Sequence, residues 1–521
     1  MNIKNTHNKI LLGLLFTIFL LLPFFVNIFF SHDDQRYLYI SSGAYNGTPC
    51  PYLVYEGFIY GSIISTLYKI NNNIEWYSVA SWTLYLISFL IIGFSIIRLK
   101  INELLKGLLV FTFSFLHFYM CIHPQFTILA SELAFASFAL LIQAKNKKYY
   151  TTAFVLFFIA TQIRISAAFL PYMILFPIFF INNKYKKAFV SFSFLCIIGI
   201  VSFATDYMMY NKTDEWKHFY TYNEARAFIA DNPQADNLLQ KIKDPEKKKE
   251  YELLVKYRLF DPNILTEEEI VEYANILKQQ RLETIKINLH NYHLMYNKLG
   301  GRTVIITIIW LMIVFIKKRN YKAILFVTSC FIMFLIANIP IISMSYPKER
   351  VLLTPIAALL LSCLYIAKTK EVPYFRTLIC INIAILLYTY SILNYDISKK
   401  INEPLTLKKE IEGMLYKSKS EKTMMLFPCC LYINSDRFYA TKSPIAHKTI
   451  LQGWTYNWPL APKGYGNFKT LVDGIPMLVN KSTIEQLDII EYMILHNYNI
   501  KVGRKIMAES ENYYLIQFTS K

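Results

Sequence analysis

Charged residues are scarce in this chain of 521 residues. Asp, Glu, Lys and Arg together make up 17% of the sequence and hydrophobic residues 54%, whereas ordinary soluble domains carry roughly 25% charged residues. The sequence contains no P-loop, no GxGxxG after a strand, no HExxH and no GxSxG, so nucleotide-sugar, zinc-protease and serine-hydrolase chemistry lack support. The composition excludes a disordered chain, a fibrous protein and an ordinary soluble enzyme.

Cysteines are also few, and their spacing shows no framework. Of the eight, five lie in apolar runs, where a thiol usually acts as a small hydrophobic group. Cys50, Cys429 and Cys430 lie outside these runs and show no CxxC spacing. A bridge between adjacent cysteines needs unusual geometry, so the sequence predicts no disulfide framework.

Long apolar runs are what the sequence has in abundance. A hydrocarbon core of ~30 Å needs about 20 helical residues, and eleven runs approach that length: 10–30, 76–97, 104–122, 126–142, 150–163, 165–181, 188–207, 303–316, 323–342, 351–367 and 377–393. The first is too long for a signal-peptide core and lacks a small-residue cleavage site, so we expect it to be retained. The sequence predicts a polytopic α-helical membrane protein with about 11 transmembrane helices.

Lysine and arginine are distributed unevenly between alternate loops. With the N-terminus in the cytoplasm, the short inside segments hold 18 of these residues and the short outside segments hold 5. Cytoplasmic loops carry such an excess, while long segments cross the membrane regardless of charge. The sequence thus predicts a multi-pass protein of the cell membrane with an external C-terminus. The same excess explains the net charge of +19, for which nucleic-acid binding is the weaker explanation.

Three polar regions are expected on the external face. The membrane module, 1–395, includes an external loop at 31–75 and a helical external loop at 208–302, where Thr266 to Glu269 fit a capping box. Within the first loop, the Tyr-rich stretch 52–68 is interpreted as an interfacial or re-entrant helical segment. The third region, 396–521, is predicted to be a small external α/β domain with helices at 405–416 and 483–495 and strands at 423–427, 500–507 and 513–518.

An acidic pair, Asp33-Asp34, follows directly after the first apolar run. The pair is either a set of interface charges that stop the helix or a catalytic pair. In the catalytic interpretation, one carboxylate accepts a proton from an acceptor hydroxyl, and its neighbour binds a divalent cation such as Mg²⁺ or Mn²⁺ or orients the substrate. His32, Asp33 and Asp34 alone do not define a coordination sphere. Tyr37 follows in the same segment as a candidate for substrate binding.

With these features the sequence resembles the GT-C superfamily of membrane glycosyltransferases, which use polyprenyl-phosphate-linked sugars as donors. The resemblance rests on Asp33-Asp34 at the start of the first external loop, on the amphipathic stretch 52–68, and on the C-terminal region after Asp396. It covers most of the chain as architecture. Where many relatives carry Asp-Glu, this chain has Asp-Asp, which preserves the charge.

Other ionisable residues lie at the edges of apolar runs, where charge is costly and usually faces a cavity. Glu132 lies ~9 Å from the external end of the fourth run, and Arg164 lies between the fifth and sixth runs. Either the two form an ion pair, or one or both enter a substrate cavity. His123 is either an interfacial histidine or a ligand. Lys348 and Arg350, at the outer start of the tenth run, either reach lipid head groups or bind the donor phosphate, which the planar fork of Arg suits.

The resemblance and these residues together predict a glycosyltransferase. It would transfer a sugar from a polyprenyl-phosphate donor to an acceptor hydroxyl on a glycan, lipid or protein at the external face, with inversion. One alternative is a polymerase of O-antigen or capsule repeat units, which also has about a dozen helices and a large external loop. A second is a non-enzymatic lipid or polysaccharide transporter. Such proteins carry charges or broken helices near mid-membrane, whereas the charges predicted here gather on the external side.

The predicted orientation is tested by cysteine-accessibility labelling. Single cysteines introduced in 143–148 should react only from the cytoplasmic side, because this loop carries the inside excess of lysine. Cysteines in 208–302 and near residue 521 should react from outside. Labelling of the C-terminal region from the cytoplasm would overturn the orientation.

Overall fold

The structure is a computed structural model, and it describes most of the chain. The described ranges are 6–25, 32–101, 103–122, 124–181, 185–257, 259–299, 301–344, 348–369, 407–418, 420–425, 440–450, 453–455, 458–461 and 467–521, with isolated positions between 377 and 391.

Long apolar helices form the bulk of the described chain. They are α1 (Thr6–Phe25), α4 (Trp76–Ile97), α5 (Glu103–Ile122), α6 (Phe126–Gln143), α7 (Lys147–Leu175), α8 (Tyr185–Tyr210), α14 (Gly301–Lys317), α15 (Tyr321–Met344) and α16 (Glu349–Thr369). Six of the apolar segments are long enough to cross a membrane, and three are shorter. The chain is therefore a multi-pass membrane protein. The predicted span 377–393 lies outside the described residues apart from isolated helical positions.

Helix α7 folds back on itself at Arg164. This residue has an extended backbone conformation, with φ −160° and ψ 104°. In a straight helix Phe157 and Tyr172 would be ~22 Å apart along the axis, yet their ring centroids are 4.9 Å apart. Ser137 of α6 bonds to both halves, donating to Ala153 O at 2.6 Å and contacting the Tyr172 hydroxyl at 2.7 Å. The two apolar runs on either side of Arg164 are therefore two adjacent helices.

The loop after α1 contains two helices that do not span the membrane, α2 (His32–Ser42) and α3 (Phe58–Ile70). The helical part of the stretch 52–68 begins only at Phe58. Before it, Val54 has a φ of +59°, and the Gly57 N–H donates to Gln162 O at 2.6 Å. The Phe58 N–H, which has no partner within its own helix, donates to the Asp206 carboxylate of α8 at 2.8 Å.

The second long loop is helical, as predicted. It contains α9 (Asp214–Ala230), α10 (Ala235–Lys241), α11 (Pro245–Glu252), α12 (Glu267–Gln279) and α13 (Arg281–Lys298). The predicted capping box is present, because the Thr266 side chain accepts from the Glu269 N–H and the Glu269 carboxylate accepts from the Thr266 N–H.

The C-terminal region contains a five-stranded mixed sheet. Its strands are β1 (Thr423–Met425), β2 (Thr449–Ile450), β3 (Met477–Asn480), β4 (Val502–Glu509) and β5 (Tyr513–Ser520), in the order β2-β1-β3-β5-β4. β1 is parallel to β2 and β3, and β5 is antiparallel to β3 and β4. The helices are α17 (407–417), α18 (Pro444–Lys448) and α19 (Gln486–Tyr498). The predicted terminal hairpin and both predicted helices are present. The short strands β2 and β3 were not predicted.

The C-terminal region packs on the first loop. Buried Glu75 accepts hydrogen bonds from the backbone N–H of Thr441, at 3.0 Å, and from its hydroxyl. Tyr45, which follows α2, donates to Thr455 O at 3.3 Å. These contacts bring the C-terminal region to the helix that starts at the acidic pair.

Candidate active site

Asp34 is buried at the N-terminus of α6. Its side chain is 2% exposed, and Oδ1 accepts from the Phe126 N–H at 3.0 Å and from the Tyr77 hydroxyl at 2.9 Å. The Phe126 N–H belongs to the first turn of α6, where backbone N–H groups lack helical partners and a negative charge is stabilised. Asp34 therefore ties the start of α2 to the start of α6.

A second buried carboxyl, Glu56, shares the Tyr77 hydroxyl with Asp34. Glu56 Oε1 lies 2.8 Å from that hydroxyl, which has one proton and can donate to only one of the two carboxyls. Burial, with Asp34 nearby, raises the pKa of Glu56 well above its usual range. A protonated Glu56 donates to Tyr77, and Tyr77 donates to Asp34, so one proton chain joins the three groups. The second oxygen of Glu56 is buried without a hydrogen-bond partner among the described residues.

Asp33 is more open than Asp34, with a side chain 21% exposed. Its Oδ1 accepts from the indole Nε1–H of Trp454 at 3.2 Å and lies 3.4 Å from Arg36 Nη1. Trp454 belongs to the C-terminal region, so both the membrane module and the C-terminal region contact this carboxylate. Of the two aspartates, Asp33 is the one that a substrate can reach.

Arg350 lies beside the same helix start. Its Nε donates to the side-chain oxygen of Gln125 at 3.0 Å, and Nη1 donates to that oxygen as well, with the Gln125 amide oriented toward these donors. The Tyr85 hydroxyl fixes the Gln125 backbone, accepting from its N–H at 3.2 Å and donating to its carbonyl at 3.1 Å. Gln125 therefore binds the Arg350 cation and Phe126 binds the Asp34 carboxylate, which come from distant parts of the sequence.

Arg164 approaches from the α7 turn. Its Nη1 donates to Tyr55 O at 3.1 Å, and its guanidinium carbon lies 5.2 Å from the Tyr55 ring centroid and 5.7 Å from that of Phe126. Both contacts are within the range of cation–π attraction. No ion pair joins Arg164 to a carboxylate among the described residues, so its charge is available to an anionic ligand.

Tyr37 lies at the centre of these groups. It is fully buried, and its hydroxyl has no hydrogen-bond partner among the described residues. Its ring packs on Phe126 at 5.3 Å and on Trp454 at 5.7 Å. Burial, followed by the charge of Asp33, raises the pKa of Tyr37 further above its usual value. The hydroxyl therefore stays protonated and can donate to a ligand.

Of the three remaining predicted site residues, two have partners outside this group and the third is not described by the structure. Glu132 accepts from Ser88 and bonds to His117 Nδ1, both at 2.8 Å, rather than pairing with Arg164, because α5 and α4 supply nearer partners. Lys348 forms an ion pair with Asp231 at 2.5 Å, which joins α16 to the end of α9. His123 lies outside the described residues.

Two residues at this site, Glu56 and Arg226, are not among the site residues predicted from the sequence. Glu56 is the lone charge in the stretch 52–68, and that isolation was the available signal. Arg226 is 5% exposed and donates to Asn223 Oδ1 at 2.9 Å and to the Tyr55 hydroxyl at 3.5 Å, without a carboxylate partner in the described part of the chain. The sequence offers no signal that Arg226 meets Tyr55.

The predicted divalent cation finds no protein-built site here. No group of three His, Cys, Asp or Glu side chains with metal-ligand geometry occurs among the described residues. The oxygen of Asp34 that faces Tyr77 already accepts two hydrogen bonds, and that of Asp33 faces an indole and a guanidinium. These carboxylates do not fit a resident metal on their own.

The proton on Glu56 has a measurable consequence for stability. A carboxyl whose pKa is raised by folding favours the folded state at low pH, and this contribution is lost as pH rises above the ordinary carboxyl value of ~4.3. Glu56→Gln keeps a neutral donor toward Tyr77 at every pH. We expect the melting temperature of the variant to exceed that of wild type increasingly between about pH 5 and pH 8.

The measurement is thermal unfolding in detergent across this pH series. Glu272→Gln, a change of the same kind at an exposed position of α12, serves as the control and should leave the pH dependence of wild type unchanged. A Glu56→Gln profile parallel to wild type would show that Glu56 is ionised in the folded protein.

No family model and no curated protein matches the sequence. Among solved structures, the chain is similar to ArnT from Cupriavidus metallidurans in the apo state, at 9% sequence identity and a TM-score of 0.43, over 98% of each chain.

Proposed function

We propose that this protein is a membrane glycosyltransferase that moves a sugar from a polyprenyl-phosphate donor to an acceptor hydroxyl at the external face. One observation supports it above the others. Asp34, Arg164 and Arg350 come from three separate parts of the sequence, and all three contact the Gln125–Phe126 turn. A base and phosphate-binding cations must lie together for this reaction, and Asp34 holds its neighbour Asp33, the proposed base, at the turn that also holds the two arginines.

In the proposed reaction Asp33 is the base. Its carboxylate accepts the proton of the acceptor hydroxyl as the hydroxyl oxygen attacks the anomeric carbon of the donor sugar. The new bond forms as the bond from that carbon to the phosphate oxygen breaks, so the configuration inverts. Arg36 and the Trp454 N–H orient the Asp33 carboxylate before the attack.

The leaving group is polyprenyl phosphate, which departs with the electron pair of the broken bond and so carries one more negative charge than the phosphate of the donor. Arg350 and Arg164 stabilise this charge, and Arg suits the role because its fork donates two parallel hydrogen bonds to phosphate. Tyr37 has a protonated hydroxyl without a partner among the described residues, and it donates to a substrate oxygen. Lys348 is paired with Asp231, so its proposed contribution is to hold α16 in place.

Asp34 has a positioning role in this scheme. It is buried, and it fixes the Phe126 N–H next to the residue that holds Arg350. Glu132, His123 and a divalent cation stay predictions from the sequence, and no step depends on them. Transfer assays with and without a chelator test the metal.

The two aspartates should respond differently to loss of charge. Asp33→Asn removes the base, so we expect kcat to fall by about 10²–10⁴-fold with little change in the donor KM. Asp34→Asn disturbs the turn that holds Arg350, so both the donor KM and kcat should change. Asp236→Asn, at an exposed position of α10, is the control. Near-normal turnover in both site variants would refute the mechanism.

Arg350 is tested with Ala and Lys variants. A phosphate clamp holds the donor and binds more tightly as charge develops, so Arg350→Ala should raise the donor KM and lower kcat, the latter by roughly 10²-fold. Arg350→Lys should restore activity only in part, because an ammonium lacks the bidentate fork. Arg302→Lys, in the first turn of α14 and exposed, is the matched control.

The assay uses a synthetic polyprenyl-phosphate sugar in nanodiscs. Wild-type kinetics in Arg350→Lys would indicate that this side chain only reaches lipid head groups, since any long cationic side chain does so. The donor phosphate would then have to bind elsewhere.

A further inference from the structure

A cavity lies at the opposite end of α2 from the acidic pair. It has a volume of about 680 Å³ and is lined by the turn after α2, by residues 72 and 73 after α3, and by the C-terminal region. Ser42 lies nine positions after Asp33 in α2, which is ~14 Å along the helix axis. The volume is in the range of ordinary ligand pockets, ~300–1,000 Å³.

The lining of this pocket is cationic. Lys422 and Lys442 contribute to it, and none of the described lining residues is Asp or Glu. Glu75 lies behind the wall, where it is engaged by Thr441 and feels the charge of Lys442. A pocket with two lysines and no lining carboxylate attracts anions.

Lys422 is the most informative of these residues. Its ammonium donates to His447 O at 2.6 Å and to Tyr45 O at 3.3 Å, and no ion pair joins it to a carboxylate in the described part of the chain. Burial lowers its pKa. Desolvating a cation is unfavourable, and the charge of neighbouring Glu421 offsets only part of this effect. An ammonium has three donors, so an anion in the pocket would take the third donor and add to the partial compensation by Glu421.

The pocket also offers groups that bind hydroxyls. Asn46, Asn72 and Asn73 are among the residues that line it. A side-chain amide both donates and accepts, as a sugar hydroxyl does. The combination of amides with lysines fits a molecule that carries hydroxyl groups and a negative charge.

We infer that this pocket binds an anionic sugar unit of the acceptor, which rests on the proposed function. The acceptor is then an extended glycan whose reacting hydroxyl lies at Asp33 while a charged unit, ~14 Å away along α2, lies against Lys422 and Lys442. The charge is a carboxylate or a phosphate, and both share the chemistry that these ammonium groups recognise.

The test measures binding rather than turnover. The full chain in nanodiscs of zwitterionic lipid is titrated with cellobiouronic acid, trehalose 6-phosphate and their neutral parents, cellobiose and trehalose, by saturation-transfer NMR. We expect the charged sugars to bind about tenfold more tightly than their parents. The charged sugar with the higher affinity identifies the anion as carboxylate or phosphate.

Variants locate the binding. Lys422→Met and Lys442→Gln should each lower the affinity for the charged sugars by roughly tenfold and leave the affinity for the neutral sugars unchanged. Lys442 is exposed, so its substitution tests the pocket even where Lys422→Met lowers the yield of folded protein. Lys501→Gln, at another exposed lysine of the C-terminal region, is the control. Equal affinities for charged and neutral sugars, or undiminished binding in Lys442→Gln, would overturn the inference.

The outcomes separate the pocket from the proposed function. Asp33→Asn should bind the charged sugars as wild type does, because Asp33 lies at the other end of α2. If binding depends on Lys422 and Lys442 but the protein transfers no sugar, the inference about the pocket stands and the proposed transferase function is refuted. Sugar transfer by wild type without such binding would refute the pocket alone.

Discussion

The hydrogen bond from the Phe126 N–H to Asp34 is the contact on which the site depends. It uses a backbone donor that a helix start leaves unpaired, and it fixes α6 relative to α2. Tyr85 holds the preceding residue, Gln125, and Gln125 holds Arg350. Glu56 extends this network through Tyr77.

The sharp turn of α7 solves a geometric problem for the same network. A straight α7 would carry Arg164 into the middle of a long apolar helix, where charge is costly. Breaking the helix at Arg164 places this residue at a turn next to Tyr55 and Phe126. The packing of Phe157 on Tyr172 stabilises the two halves against each other.

The sequence predicted features that depend on local pattern. Apolar runs predicted the helices, alternation predicted the β4–β5 hairpin, and the position of Asp33 and Asp34 after the first run predicted an acidic site. It did not predict contacts made by packing: Asp34 and Phe126 are 92 positions apart, and Asp33 and Trp454 are 421 apart. The partner of Glu132 depends on which helix lies beside α6, and no periodicity contains that information. β2, with two residues, is too short for any alternation.

The hydrogen bond between Trp454 and Asp33 has a consequence for biosynthesis. The N-terminal part of the chain leaves the ribosome and enters the membrane first, so the acidic pair is in place long before residue 454 has been made. Until the C-terminal region has been made and has docked on α2, Asp33 lacks its indole partner. Under the proposed function, a half-made protein is an incomplete catalyst, and the nascent chain leaves the lipid-linked sugars of the membrane untouched.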